Sequence, residues 1–267
     1  MKDQSEVAAI YDEMAPLFDY EVEDWEGAMK TYVEYIKPIL VENHVKTVLD
    51  CSCGTGIQAI GLAREGFRVT ASDISEEMIR AASNNATKHG VDIEFVQSSF
   101  LELKTNFSKK FDAVISMGNA FSHMLTDQDA VKALGNMRSV LRDDNGVCLC
   151  DVWNYVTLCA RKKRFIPLVM KDDAIVLQVR DFFDPGRVDV NFLYFIKLND
   201  KWQHRNVSMK LRPITTDQLQ RFFIQAGFKD ISLNVDVLWV RALARTSRPT
   251  FKTLSAGRPG VAAPIRT

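Results

Sequence analysis

Apolar and polar positions follow two different periods along this chain. From residue 30 onward, segments with apolar residues three and four apart exchange with short, nearly continuous apolar runs. The first pattern marks amphipathic helices and the second marks strands buried on both faces. Together they predict helix 30–43, strand 46–51, helix 57–65, strand 67–72, helix 75–89, strands 92–97 and 111–117, helix 127–141 and strand 146–152. Ser75 stands before Glu76 and Glu77, a cap followed by acids in the first turn, as a helix N-terminus prefers. Strands that alternate with helices imply an α/β fold around a mostly parallel sheet covered on both faces.

After Asn154 the period drops to two. Residues 174–214 read as three strands joined by turns at Asp184-Pro185-Gly186 and Asn199-Asp200. Turns that short make antiparallel neighbours, so this segment predicts a small sheet inserted into the parallel domain. Helix 215–226, capped by Thr215 or Thr216 and stopped at Gly227, brings the chain back, and strand 229–236 closes the main sheet. The expected organisation is an N-terminal helical cover (1–44), a core of 45–154 and 213–240, an inserted lid (155–212) and a flexible tail (241–267).

Composition adds limits. The 267 residues suffice for one large α/β domain, and with 46% hydrophobic and 10% aromatic residues the chain buries a proper core. No stretch approaches the ~20 apolar residues of a membrane span. The opening "MKDQSEVAAIYDEM" lacks the apolar centre of a secretory signal, so a cytoplasmic protein without membrane attachment is expected. The formal net charge is zero, but residues 241–267 hold six basic residues and no acid. Removing those six from the 34 basic residues leaves 28 against 34 acidic, about −6 for the body. An acidic body argues against a nucleic-acid partner. Cys51, Cys53, Cys148 and Cys150 form two C-x-C pairs, tighter than zinc-site spacing and placed in predicted core strands. They read as small hydrophobes, and no metal is expected.

Candidate chemistry concentrates at "VLDCSCGTG" (48–56), a strand that opens onto a helix through Gly54 and Gly56. Taken alone, Gly54, Gly56 and Ala59 also fit a dinucleotide turn. Two acids shift the balance. Asp50 ends the first strand, where a carboxylate suits an ammonium-bearing ligand and repels a pyrophosphate. Asp73 ends the next strand, 17 residues after Gly56, and can accept hydrogen bonds from ribose hydroxyls. A ribose joined to a cationic amino-acid end, without phosphate, describes S-adenosylmethionine. An NAD(P)-dependent oxidoreductase and a catalytically silent binding module are the competing classes.

The stretch "VLDCSCGTGIQAIGLAREGFRVTASDIS" resembles the cofactor motif of class I S-adenosylmethionine-dependent methyltransferases. "SMGNAFSHM" (116–124) and "DVWNY" (151–155) narrow the likeness, which covers roughly residues 8–236, to the glycine and glycine/sarcosine N-methyltransferases. The resemblance implies a Rossmann-like fold whose last strand is antiparallel, with the inserted sheet roofing a substrate pocket. It implies that Asp50, Gly54 and Gly56 hold the methionine end of the cofactor and that Met117 and Gly118 border it. Asp73 would bind the ribose, with Ile74, Ser99 and Phe100 around the adenine. Tyr11, Tyr20 and Trp25 would close over the cofactor.

On the substrate side, Asn119, Trp153, Tyr155 and Tyr194 match pocket positions, with His123 and Tyr155 as candidate catalytic groups. Those glycine binders carry an arginine for the substrate carboxylate where this chain has Trp153. An indole there removes about 2–5 kcal/mol of charge-pair recognition and offers a flat wall for a ring. The expectation is N-methylation of a small molecule, favouring a planar nitrogen heterocycle of the azapteridine (toxoflavin) type. Glycine or sarcosine is the alternative, with Arg161, Arg164 or Arg180 as a replacement cation. Nothing in the sequence fixes the oligomeric state.

Overall fold

The structure, a computed structural model, describes residues 2–183 and 186–247. Two helices come first, α1 (Lys2–Phe18) and α2 (Trp25–Glu42), joined by a 3-10 turn over Asp19–Glu21. The main alternation follows as β1 (Thr47–Asp50), α3 (Ile57–Arg64), β2 (Arg68–Asp73), α4 (Glu76–Lys88), β3 (Glu94–Gln97), α5 (Leu103–Asn106), β4 (Ala113–Ser116), α6 (Asp127–Ser139) and β5 (Val147–Trp153). Next come α7 (Tyr155–Arg161) and four strands, β6 (Phe165–Met170), β7 (Ala174–Phe183), β8 (Arg187–Leu198) and β9 (Lys201–Leu211). The described chain ends with α8 (Thr216–Gln225), β10 (Asp230–Val235) and β11 (Trp239–Arg245).

The first sheet has the order β10-β11-β5-β4-β1-β2-β3. Strands β1 to β5 pair in parallel, and β11 lies antiparallel between β5 and β10. This is the mostly parallel, Rossmann-like sheet expected, with a reversed last strand. Parallel strands buried on both faces are possible because α2 and α3 pack on one side while α6 and α8 pack on the other. Local chemistry sets the helix starts. Ser75 accepts from the Met78 N–H at 3.0 Å to cap α4, and Thr215 with Gln218 forms a capping box on α8.

Three expectations change. Helix α2 begins at Trp25 rather than residue 30, because the Asp24 side chain caps it by accepting from the Gly27 N–H at 3.0 Å. The inserted sheet has four strands, in the order β6-β7-β8-β9. Strand β6 carries Pro167, where its pairing with β7 shifts register, as an edge strand tolerates and a central one does not. Residues 184 and 185 of the anticipated Asp184-Pro185-Gly186 turn lie outside the described residues.

The third change concerns the tail. The expected tail begins inside β11, whose Val240, Ala242 and Ala244 are buried and which pairs from Trp239↔Trp153 to Arg245↔Val147. Arginines 241 and 245 disguised this strand in the sequence. Arg241 is 4% exposed, paired with Asp236 at 2.7 Å and stacked near Tyr35 and Trp239. The rest of the expected tail, 248–267, lies outside the described residues. A chain ending at residue 240 should therefore lose the strand that bridges β5 and β10. Deleting that burial removes on the order of 5 kcal/mol or more, comparable with the stability of a whole domain. Circular dichroism melts should show no cooperative transition for that truncation and a normal one for a chain ending at 247.

Candidate functional site

Parallel strands leave a crevice beyond their carboxyl ends. Here β1 and β2 deliver the glycine turn and Asp73 to it. The Asp73 carboxylate accepts from the Gly54 N–H at 2.9 Å and the Ser75 N–H at 3.0 Å, tying the two strand-to-helix turns together. Gly54 takes φ +51° and faces the Phe18 ring, which an added Cβ would meet at 3.4 Å.

The resulting cleft spans about 800 Å³ of space between the atoms, part of it open to solvent. Its wall includes Gly54, Asp73, Ile74, Ser99, Phe100 and Met117, together with Tyr11 from α1 and His123 from the turn after β4. Ser99 points its hydroxyl at Glu102, 2.8 Å away, and Phe100 packs beside Phe121.

Four expected cofactor contacts differ. Trp25 stacks on His89 at 4.8 Å and bonds Asp19, outside the cleft, and Tyr20 is 38% exposed, also outside it. Phe18 and Tyr32 close the cleft instead. Tyr32 belongs to the buried α2 stripe of Met29, Tyr32, Val33 and Ile36, a periodic pattern that marks it as core without announcing a ligand. Gly56 does not line the cleft. At φ +94° it starts α3, and an added Cβ would meet Ile60 at 3.1 Å and Ala82 at 3.3 Å, so its smallness serves helix packing. Asp50 also stands outside the lining. It is 1% exposed, with Oδ1 taken by the Ser52 N–H and Oδ2 without a partner among the described residues. Burial is the main cause that pushes its carboxyl up to about 7.

A second cavity, spanning about 850 Å³ that includes its opening to solvent, adjoins the first and shares Tyr11, Phe18, Tyr32, Gly118 and His123 with it. The inserted sheet roofs it with Gln178, Arg180, Phe192 and Met209. Trp153, Trp239, Asn119 and Glu21 complete its polar and aromatic wall. Asn119 sits at φ +70°, and its Oδ1 accepts from the Trp153 N–H at 2.8 Å and the Ser122 hydroxyl at 2.7 Å. Its Nδ2 donates to the Tyr155 hydroxyl at 3.1 Å. Asn119 thus borders the cavity but spends most of its hydrogen bonds fixing Trp153 and Tyr155.

Tyr155 and Tyr194 are corrections as well. Both are buried behind the cavity wall. Tyr155 has its phenol pushed up to about 12, chiefly by burial, which removes it as a proton acceptor. Tyr194 donates to Glu21 at 2.6 Å. His123 stays at the junction, its Nε2 2.8 Å from the Tyr11 hydroxyl, and burial holds its imidazole down to about 4. Sequence reasoning missed Glu21 and Gln178, which lack a motif, and offered Arg180 only as a stand-in cation.

The four cysteines of the two C-x-C pairs are buried free thiols, each raised above its ordinary value with burial as the main cause. Among the described residues no helix is long and apolar enough to cross a membrane.

Residues 48–144 match the family model described as a methyltransferase domain. A glycine/sarcosine N-methyltransferase of Aphanothece halophytica is 28% identical over 214 residues, 79% of this chain and 77% of the relative. One from Parasynechococcus marenigrum is 33% identical over 132 residues, 49% of this chain and 46% of the relative. The chain therefore spans about half the length of the second of these relatives. An S-adenosylmethionine-dependent methyltransferase structure from Clostridium acetobutylicum superposes with a TM-score of 0.73 at 18% identity, covering 90% of this chain and 98% of that one. Residues 48–144 are therefore a methyltransferase domain, set in the fold of the class I S-adenosylmethionine-dependent methyltransferases. S-adenosylmethionine is the cofactor of that class.

The first cleft fits this cofactor on its own geometry. Asp73 lines it with a carboxyl group that could accept from hydroxyls, Ile74 and Phe100 give it apolar wall, and the buried Asp50 Oδ2, without a hydrogen-bond partner among the described residues, belongs to the segment that leads into the glycine turn. A cationic ligand end would bring the Asp50 carboxyl back down by charge attraction. Without ligand, the sign is the reverse of the usual carboxylate case. The folded value of about 7 exceeds the ordinary 3.8, so between those pH values the unfolded chain releases a proton that the folded chain keeps. Stability from this group is therefore present below about pH 4 and falls as pH rises toward 7. Asp50→Asn should remove that dependence and weaken S-adenosylhomocysteine binding about 10-fold. Calorimetry near pH 7 in buffers of different ionisation enthalpy should detect proton release for the wild type and none for the variant.

Proposed function

We propose that this methyltransferase acts on a nitrogen of a small molecule held in the second cavity, and that a planar nitrogen heterocycle is the favoured acceptor. The observation that carries the reading is the junction of the two cavities at Tyr11, Gly118 and His123. When bound, S-adenosylmethionine supplies a methyl group already activated on its sulfonium sulfur. The chain's own work is then to hold, align and dehydrate the nucleophile. Asp73 accepts hydroxyl hydrogen bonds on the donor side, with Ile74, Ser99 and Phe100 around the base and Met117 beside the methionine end. Phe18, Tyr11 and Tyr32 keep water out of the junction.

His123, held down to about 4 by burial, is neutral at physiological pH and poor at removing a proton from a phenol or alcohol. A neutral ring or amine nitrogen attacks without such help. That asymmetry supports nitrogen over oxygen as the acceptor. Trp153 in the cavity wall supports a flat acceptor. The glycine/sarcosine relatives favour a second reading, an amino-acid acceptor, for which Arg180 is the available cation. The solved neighbours also include a sugar N-methyltransferase from Streptoalloteichus (TM-score 0.67, 15% identity, 84% of this chain and 88% of that one).

A methyl-transfer assay with glycine, sarcosine and a panel of N-heterocycles separates these readings, with the methylated atom identified by NMR. Trp153→Arg should lower kcat/KM on a ring acceptor about 10-fold or more, since it removes an aromatic from the cavity wall and sets a second guanidinium against Arg180, which lies 4.4 Å from the centre of that ring. Unchanged kinetics would remove Trp153 from the acceptor pocket. Turnover of glycine alone by the wild type would replace the heterocycle with the amino acid.

A further inference from the structure

Arg180 leaves the middle of the inserted sheet, on β7, and enters the second cavity. Its guanidinium carbon lies 4.4 Å from the centre of the Trp153 ring, and its Nε–H donates to Gln178 Oε1 at 2.6 Å. The neighbouring arginines of this sheet are matched by acids, Arg164 with Asp181 at 2.8 Å and Arg187 with Asp189 at 2.9 Å. Among the described residues, Arg180 has no ion pair, and its two Nη groups make no hydrogen bond to a side chain or backbone carbonyl. A partly dehydrated cation without a counter-charge is costly. The indole face offsets part of that cost and fixes the plane of the fork. What remains unmet is the side of the guanidinium that opens to the cavity.

We propose that Arg180 selects the methyl acceptor by holding a planar anionic group on it, either a carboxylate or the delocalised oxyanion of a ring. The proposal rests on the second cavity being the acceptor site. Two parallel N–H groups match two in-plane oxygens, or an oxygen and a ring nitrogen. A tetrahedral or diffuse anion meets that fork less well. Trp153 then acts as the backing plate of the fork and keeps the anion in the plane of its donors. Glu21 lies in the wall of the same cavity, where an uncharged or donor end of the acceptor fits better than its anionic end.

The test uses the full chain loaded with S-adenosylhomocysteine and matched probes measured by calorimetry. Glycine against glycinamide and nicotinate against nicotinamide report a carboxylate; xanthine against adenine at pH 8 reports a ring oxyanion. At least one anionic member should bind about 10-fold or more tightly than its neutral partner. Arg180→Met should weaken that member about 100-fold and bring it level with the neutral one, as expected for loss of a buried charge contact. Arg180→Lys should recover part of the loss, staying about 10-fold weaker for want of the fork. S-adenosylhomocysteine affinity should be unchanged in both variants, and the melting temperature should not fall.

Equal affinity for charged and neutral members in the wild type overturns the proposal, and that comparison requires no variant to fold. An equal loss on both members in Arg180→Met overturns it too. Methyl transfer found on oxygen, with Arg180 dependence intact, would defeat the nitrogen reading and leave this one standing.

Discussion

The hydrogen bond from Tyr194 to Glu21 is the contact on which the enclosed site depends. It joins residues 173 positions apart, at 2.6 Å, with both side chains almost wholly buried. A carboxyl group leaves water only if its oxygens find partners, and the inserted sheet supplies one of them to Glu21. The N-terminal segment that carries Glu21 is tied at other points as well. Asp19 accepts from Thr55 and Asn85, Asp12 accepts from Ser75, and Tyr11 meets His123. Cover, sheet and lid therefore form a single wall around two cavities.

The same economy appears at the strand ends. Asp73 binds the N–H groups of Gly54 and Ser75 and lines the donor cleft. Asn119 binds the Trp153 N–H and the Tyr155 hydroxyl and borders the second cavity. Each polar side chain shapes a turn and also lines one of the two cavities. Such dual use explains why the acids and amides near the turns are short. A longer side chain would reach the ligand but lose the turn.

The alternation of strands and helices was legible because burial on both faces of a parallel sheet writes itself as unbroken apolar runs. The donor cleft was legible for a related reason: Gly54 and Asp73 answer to backbone geometry at fixed spacing. What stayed hidden depends on contacts between distant segments. Strand β11 was obscured by Arg241, whose charge is met by Asp236 and whose flat group lies near Tyr35 and Trp239. No local pattern announces that an arginine will be buried in this way. Trp25 and Tyr20 misled because an aromatic near a cofactor motif says nothing of which way its helix turns. Phe18 and Tyr32 took the role through positions that read only as core.

The acceptor cavity shows why a substitution at one position cannot be interpreted alone. Trp153 in place of an arginine suggested an uncharged wall suited to rings. In space the guanidinium returns from another element, Arg180 of β7, and rests on that same indole. The cavity thus keeps a cation and gains an aromatic support that fixes its orientation. A guanidinium backed by a ring is more rigid and less hydrated than one reaching from a single strand end, and both properties sharpen the distinction between a planar anion and a neutral isostere. On the proposal that Arg180 holds the acceptor, the loss of one charge at position 153 becomes a change in the direction from which the acceptor is held.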